Sequence, residues 1–277
     1  MRLRLILITP LAVLATACGG GSTHGREVVA AFYPVAFAAE KLARNGTEVV
    51  NLTPPGVEPH DLELRPSDVS RLHSASLVLL LGHGFQPAVE EAADGGDRVV
   101  RLLETPGLRL HDDDPHVWLD PVRYGLLVQR IAAALHRPDA DRPLLARLRA
   151  LDREYRAGLR ACARHEIVTS HEAFGYLADR YGLKQVAITG ISPEAEPTPQ
   201  RLRHVLDVVR STGATTVFFE TLVSPRLAET VARETGAKTA VLDPIEGLTA
   251  DEQRRGDDYF AVMRRNLRAL RTALGCR

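Results

Sequence analysis

The chain has 277 residues, and its 35 basic side chains are balanced by 35 acidic ones. That length suffices for one large or two medium domains with real hydrophobic cores. Arginine is abundant but scattered and matched by acid, and the absence of a basic stripe argues against nucleic acid as a partner.

Residues 1–18 read as an export signal. Arg2 and Arg4 form a short positive region, and Leu3 to Ala15 is mostly apolar but too short for a confident membrane span. Leu14-Ala15-Thr16-Ala17-Cys18 resembles a bacterial lipobox, in which Cys18 is lipidated and becomes the mature N-terminus. Ala15 departs from the larger aliphatic usual at that place, and a plain signal peptide cut near Ala17 is the alternative. The Gly/Ser-rich residues 19–26 then form a flexible tether. In an exported protein the remaining pair, Cys162 and Cys276, is expected to be bridged, pinning the C-terminal helix to the second half of the chain.

Glu27 to Phe32 reads as a buried strand, and Pro34 opens a helix running to about Arg44. Glu48 to Leu52 is a second strand, broken by Thr53-Pro54-Pro55-Gly56, with a loop continuing through His60. A short helix after Ser67, a strand over Leu77 to Leu81, a helix after Gly82-His83-Gly84 and a strand over Arg98 to Leu102 follow. Asp120 and Pro121 are a good N-cap and first-turn residue for the next helix. Beyond Pro138, residues Leu144, Leu148, Leu151, Tyr155 and Leu159 make an apolar stripe of helical period. About 22 residues of helix would span roughly 33 Å, a strut long enough to cross two lobes. Strands at Glu166 to Ser170, Gln185 to Ile188, Thr215 to Phe219 and Thr239 to Leu242 alternate with helices afterwards. The expected fold is α/β: two parallel-sheet (βα)4 lobes, 27–137 and 163–277, joined by a long rigid helix over 138–162.

In parallel α/β lobes ligands bind outside the carboxyl ends of the strands. His60 follows the second strand, and His116 lies in the loop leaving the first lobe. His171 and Asp243 directly follow strands of the second lobe. These four are the expected ligands of one metal ion in the interlobe cleft. Three imidazoles and one carboxylate suit Zn2+ in tetrahedral geometry, and a shell filled by protein favours capture over hydrolysis. Glu58 is an alternative carboxylate to Asp243, which could instead cap the turn at Pro244. His111 with Asp112-Asp113-Asp114 reads as a solvated acidic loop, or as a zinc-collecting loop beside the site. Trp118 is expected to pack beneath the site. Glu194, Glu196 and Glu220 are expected as loop residues and hydrogen-bonding supports rather than ligands.

Several segments carry a family resemblance: Pro55-Gly56-Val57-Glu58-Pro59-His60-Asp61, Arg65-Pro66-Ser67-Asp68, Asp114 to Pro121, Thr169 to Tyr176 and Leu242-Asp243-Pro244. Together with Glu194 to Pro199 and Phe218-Phe219-Glu220 they resemble the metal-binding lipoproteins that serve ABC transporters. The likeness runs in order over the whole mature chain. It implies an extracytoplasmic solute-binding protein, not an enzyme, which captures Zn2+ and delivers it to a membrane permease. The expected partners are that permease and membrane lipid through Cys18; the chain is expected to act as a monomer. His171 stands where manganese-type members usually carry glutamate and zinc-type members histidine, in keeping with imidazole's preference for zinc. The same fold carrying Mn2+ or Fe2+ is the nearer alternative. A zinc hydrolase is the remoter one, because no H-E-x-x-H motif follows His171. Zinc-type relatives often have a long histidine-rich stretch before His116, and this chain has only His111 and three aspartates.

Overall fold

The structure is a computed structural model, and it describes residues 27–277. The export signal, Cys18 and the tether fall outside the described residues. The first half contains β1 (Glu27–Ala30), α1 (Tyr33–Leu42), β2 (Glu48–Asn51), α2 (Pro66–Ser74), β3 (Leu77–Leu80), α3 (Pro87–Ala92) and β4 (Val99–Arg101). Two helices follow, α4 (Pro121–Ala134) and α5 (Arg142–Leu159). The second half contains β5 (Glu166–Thr169), α6 (Gly175–Tyr181), β6 (Lys184–Ala187), α7 (Pro199–Thr212), β7 (Thr216–Phe219), α8 (Arg226–Thr235), β8 (Lys238–Val241), α9 (Ala250–Arg254) and α10 (Tyr259–Leu274).

The strands form two four-stranded, wholly parallel sheets, in the orders β2-β1-β3-β4 and β6-β5-β7-β8. Short Val-rich strands such as Val28-Val29 and Val78-Leu79-Leu80 are buried on both faces, as parallel sheets require. With every strand pointing the same way within its sheet, the loops after the strands gather along one edge of each lobe.

The connection between the lobes differs from the single strut expected. The helix α5 has 18 residues rather than about 22. It also does not stand free: α4 packs on α1 and α5, and α5 packs on α6 and α10. The stripe Leu144, Leu148, Leu151, Tyr155 and Leu159 is buried by these contacts. One apolar core runs from Val28 and Phe37 in the first lobe through Leu127, Leu148 and Tyr155 to Phe218 and Leu270 in the second. Separating the lobes would therefore expose part of one continuous apolar core.

Cys162 and Cys276 are joined by a disulfide across a sequence separation of 114 residues. It fastens the end of α10 to the segment after α5, where Arg277 N–H also donates to the Ala161 carbonyl at 3.0 Å. A cross-link closing so long a loop constrains the unfolded chain strongly. Cys162→Ser with Cys276→Ser is expected to lower unfolding free energy by about 2–5 kcal/mol, read by denaturant titration. Zinc stoichiometry should stay unchanged, because the bridge lies at the amino ends of the strands.

Candidate metal centre

Asp120 fixes the junction between the first lobe and α4. Its buried carboxylate accepts the backbone N–H groups of Val122 and Arg123, at 2.9 and 3.4 Å, as an N-cap should. It also pairs with the Arg123 guanidinium at 2.6 Å and with Arg180 of α6. The turn that carries His116 is thus tied to both lobes. Asp120→Ala removes a cap and takes the buried carboxylate from two arginines, leaving Arg123 only Asp179 at 3.8 Å. It is expected to cost on the order of 3 kcal/mol by denaturant titration.

The structure brings His60, His116, His171 and Glu246 together, one ligand atom of each lying within 4.8 Å of the others. His60 comes from the loop after β2, and His116 from the long loop after β4. His171 lies two residues beyond β5, and Glu246 lies five residues beyond β8. His116, His171 and Glu246 are fully buried, and the His60 side chain is 9 % exposed. Glu246 Oε1 lies 3.1 Å from His116 Nε2 and 3.4 Å from both His60 Nε2 and His171 Nε2. The Nε2 atoms of His116 and His171 are 3.4 Å apart. Bonds of 2.0–2.1 Å to a tetrahedral cation give ligand-to-ligand edges of about 3.3–3.4 Å, so these spacings fit one ion. The second carboxylate oxygen of Glu246 and Nε2 of His60 are buried without a hydrogen-bond partner. Unpaired buried polar atoms are costly, and a cation in the cluster would satisfy His60 Nε2.

Asp243, expected as the fourth ligand, is not in this group. Its carboxylate accepts Ile245 N–H at 2.7 Å and the Thr221 hydroxyl at 3.2 Å. Asn266 grips the same residue's backbone, accepting its N–H at 3.0 Å and donating to its carbonyl at 2.6 Å. Ile245 has φ +60°, a left-handed conformation that a β-branched residue adopts only under constraint. The bond from Ile245 N–H to Asp243 holds that turn, and the turn faces Glu246 inward. Asp243 is thus a cap, and Glu246 supplies the carboxylate.

Two further carboxylates orient the rings. Asp114 accepts His116 Nδ1–H at 2.7 Å and His116 backbone N–H at 2.9 Å. Glu220 accepts His171 Nδ1–H at 2.6 Å and the Ser170 hydroxyl. With Nδ1 carrying the proton, each ring offers Nε2 to the cation, and the carboxylate raises its basicity. Glu220 therefore acts as the hydrogen-bonding support expected of it. Asp114 is different: it belongs to no solvated loop but is buried against His116. His111 stacks on Tyr176 with ring centroids 4.3 Å apart. Arg123 lies 3.5 Å from its Nε2, an arrangement hostile to a second cation. Glu58 stays outside the group, its Oε1 accepting His60 backbone N–H at 2.9 Å.

The surroundings are aromatic. Phe85 lies edge-on to His60 at 4.6 Å, and Trp118 is 5.1 Å from His116. Buried Trp118 spans the lobes, its Nε1–H donating to the Pro244 carbonyl at 2.7 Å. Burial pushes the Glu246 carboxyl up, but the three imidazoles more than reverse this and hold it well below the usual range. Burial likewise disfavours charge on His116 and His171. Asp114, Glu220 and Glu246 outweigh it, leaving His116 raised and His171 raised well above the ordinary value. Burial, then the charge of Glu246, pushes Glu58 up to about 9.

Two parallel α/β lobes that enclose a buried three-histidine, one-carboxylate cluster define a cation-binding protein of the two-lobed solute-binding class. Residues 28–273 match the family described as the periplasmic component A of the zinc-uptake complex, ZnuA, and the chain belongs to that family. The family consists of binding proteins rather than enzymes. The high-affinity zinc uptake system protein ZnuA of Bacillus subtilis (strain 168) is 33 % identical over 308 residues, 98 % of this chain and 97 % of that protein. The zinc-binding lipoprotein AdcA of Streptococcus pneumoniae serotype 4 is 32 % identical over 98 % of this chain, which spans 60 % of AdcA. The crystal structure of the Zn(II)-bound ZnuA-like domain of Streptococcus pneumoniae AdcA superposes with a TM-score of 0.75 and 32 % identity. That match covers 90 % of this chain and 99 % of the domain.

Proposed function

We propose that the chain is an extracytoplasmic binding protein that captures Zn2+ with His60, His116, His171 and Glu246 and delivers it to the permease of an ABC transporter. The observation that carries this reading is the buried cluster, two ligands from each lobe, in which Glu246 Oε1 lies 3.1 to 3.4 Å from all three imidazole Nε2 atoms and the four ligand atoms lie within 4.8 Å of one another. Zinc accepts this donor set readily, whereas manganese prefers oxygen ligands. The relatives' printed roles in zinc uptake and zinc binding point the same way. All four positions come from protein, so no place remains for a reacting water. Export and lipid anchoring through Cys18, next to the membrane partner, complete the reading, with the chain acting as a monomer. The lobes, residues 27–137 and 163–277, keep their arrangement while loops admit and release the ion.

The test is elemental analysis of the purified chain after equilibration with equimolar zinc and manganese. About one zinc per chain and little manganese is expected. His171→Ala should lose most of the zinc while remaining folded by circular dichroism. Full zinc retention by that variant, or manganese winning in the wild type, refutes the assignment.

A further inference from the structure

The loop of the first lobe that carries His116 is gripped by a helix of the second. The Tyr176 hydroxyl, in α6, accepts His111 N–H at 2.8 Å and donates to the Asp114 carbonyl at 2.7 Å. The Arg123 guanidinium lies 4.9 Å from the centroid of the same ring. Asp114 N–H donates to the His111 carbonyl at 2.9 Å, so Asp114 is held through both of its backbone groups. Its Oδ1 takes both bonds from His116. Its Oδ2 faces Gly175, the first residue of α6. A Cβ placed on Gly175 would stand 2.8 Å from that oxygen, a clash. Among the glycines of the described residues, a Cβ on any other would meet no atom nearer than 3.1 Å. The backbone does not ask for glycine here, because Gly175 is helical and has no positive φ. Glycine also weakens a helix relative to alanine. What a side chain would displace is the Asp114 carboxylate.

We propose that Gly175 is a positioning residue of the metal centre: its bare Cα admits the Asp114 carboxylate against α6 and, through Asp114, sets His116 Nε2 on the cation. The proposal rests on the zinc reading of the cluster. Asp114 cannot yield easily to a methyl group. Its backbone is fixed at N–H and carbonyl, and Pro115 follows it. Rotating the carboxylate away breaks its bond to His116 Nδ1, and with it the orientation and basicity of the ring. Helix α6 cannot recede either, since Ala173, Phe174, Tyr176 and Leu177 around Gly175 are buried in close packing. His171 lies four residues before Gly175. One short segment of the second lobe thus supplies its own ligand and seats the carboxylate that aims a ligand of the first. The geometry of the centre depends on that contact between the lobes.

The test is a double-variant cycle on zinc affinity, read by competition with a chromogenic chelator on the full chain at one pH. Gly175→Ala should weaken zinc binding by about 10- to 100-fold, the loss expected when the partner of a ligating histidine is displaced. Asp114→Ala, which removes that partner, should weaken it by a similar factor. It also vacates the space beside Gly175, so adding Gly175→Ala to Asp114→Ala should change affinity by less than about two-fold. Gly158→Ala in α5 is the control: its Cβ would press on Leu267 at 3.1 Å, away from the ligands. It should bind zinc as the wild type does. Wild-type affinity in Gly175→Ala, an equal loss in Gly158→Ala, or an equal further loss in the Asp114→Ala background overturns the proposal while the zinc site stands. If Gly175→Ala does not fold by circular dichroism, the double variant should fold, and failure of both also overturns it. A wild-type chain that takes up no zinc overturns both readings.

Discussion

Replacing Glu246 with glutamine is expected to weaken zinc binding by more than about 100-fold, beyond the usual loss on removing a residue that merely supports a ligand. Asp243→Asn is expected to bind zinc within a few-fold of the wild type. The contrast follows from what each carboxylate touches. Glu246 Oε1 is within 3.4 Å of all three imidazole Nε2 atoms, and its charge is the one placed to offset the cation. Glutamine keeps the shape and one oxygen but removes that charge. Asp243 has its oxygens on Ile245 N–H and Thr221. Burial above all pushes its carboxyl up to about 7. A carboxyl about half protonated near neutral pH is partly mimicked by an amide. Asparagine can still accept Ile245 N–H through its oxygen, and its NH2 can donate to the Thr221 hydroxyl. Competition titration against a chromogenic chelator separates the two variants. Equal losses in both would mean that the turn, and not the Glu246 oxygen, controls the affinity.

That pair of residues also shows how far the sequence could be read. The alternation of short apolar strands with amphipathic helices specifies two parallel sheets, and parallel sheets place site residues after strands. His60, His116 and His171 are legible on that ground. The choice between Asp243 and Glu246 is not, because both lie in the buried run Leu242-Asp243-Pro244-Ile245-Glu246-Gly247-Leu248. Which acid faces the histidines depends on the left-handed backbone at Ile245, a conformation that its residue type argues against. Asp114 was hidden for another reason. In sequence it belongs to an acidic triplet, and only the fold buries one member against His116 while Asp112 and Asp113 stay exposed. The connecting helix was over-extended because the apolar stripe does not reveal that α4 and α10 share its burial.

Zinc affinity is expected to fall steeply with acidification, and the fall should begin at neutral pH rather than only below about pH 6, where ordinary imidazoles titrate. Coordination needs Nε2 of each ring unprotonated, so every proton held by the zinc-free site must leave when zinc enters. His116 and His171 hold theirs more tightly than a free imidazole. Burial opposes the charge, but Asp114, Glu220 and Glu246 outweigh it. Two displaced protons lower the affinity by about 100-fold per pH unit below the raised values. The effect on stability has the opposite sign in the zinc-free chain. A histidine whose folded pKa lies above its unfolded value of about 6.5 stabilises the fold fully below that value. The contribution is lost as pH rises through the folded value. Glu246, held below the usual range, stabilises above about pH 4.3 and loses its effect only as pH falls through its depressed value. As pH rises from 6 to 8, the cluster's own contribution to zinc-free stability should therefore decline while the shift in Tm produced by zinc grows. Chelator competition corrected for the chelator's own protonation, run beside calorimetry with and without zinc, reads both trends. An affinity independent of pH between 7.5 and 5 would exclude the three imidazoles as ligands.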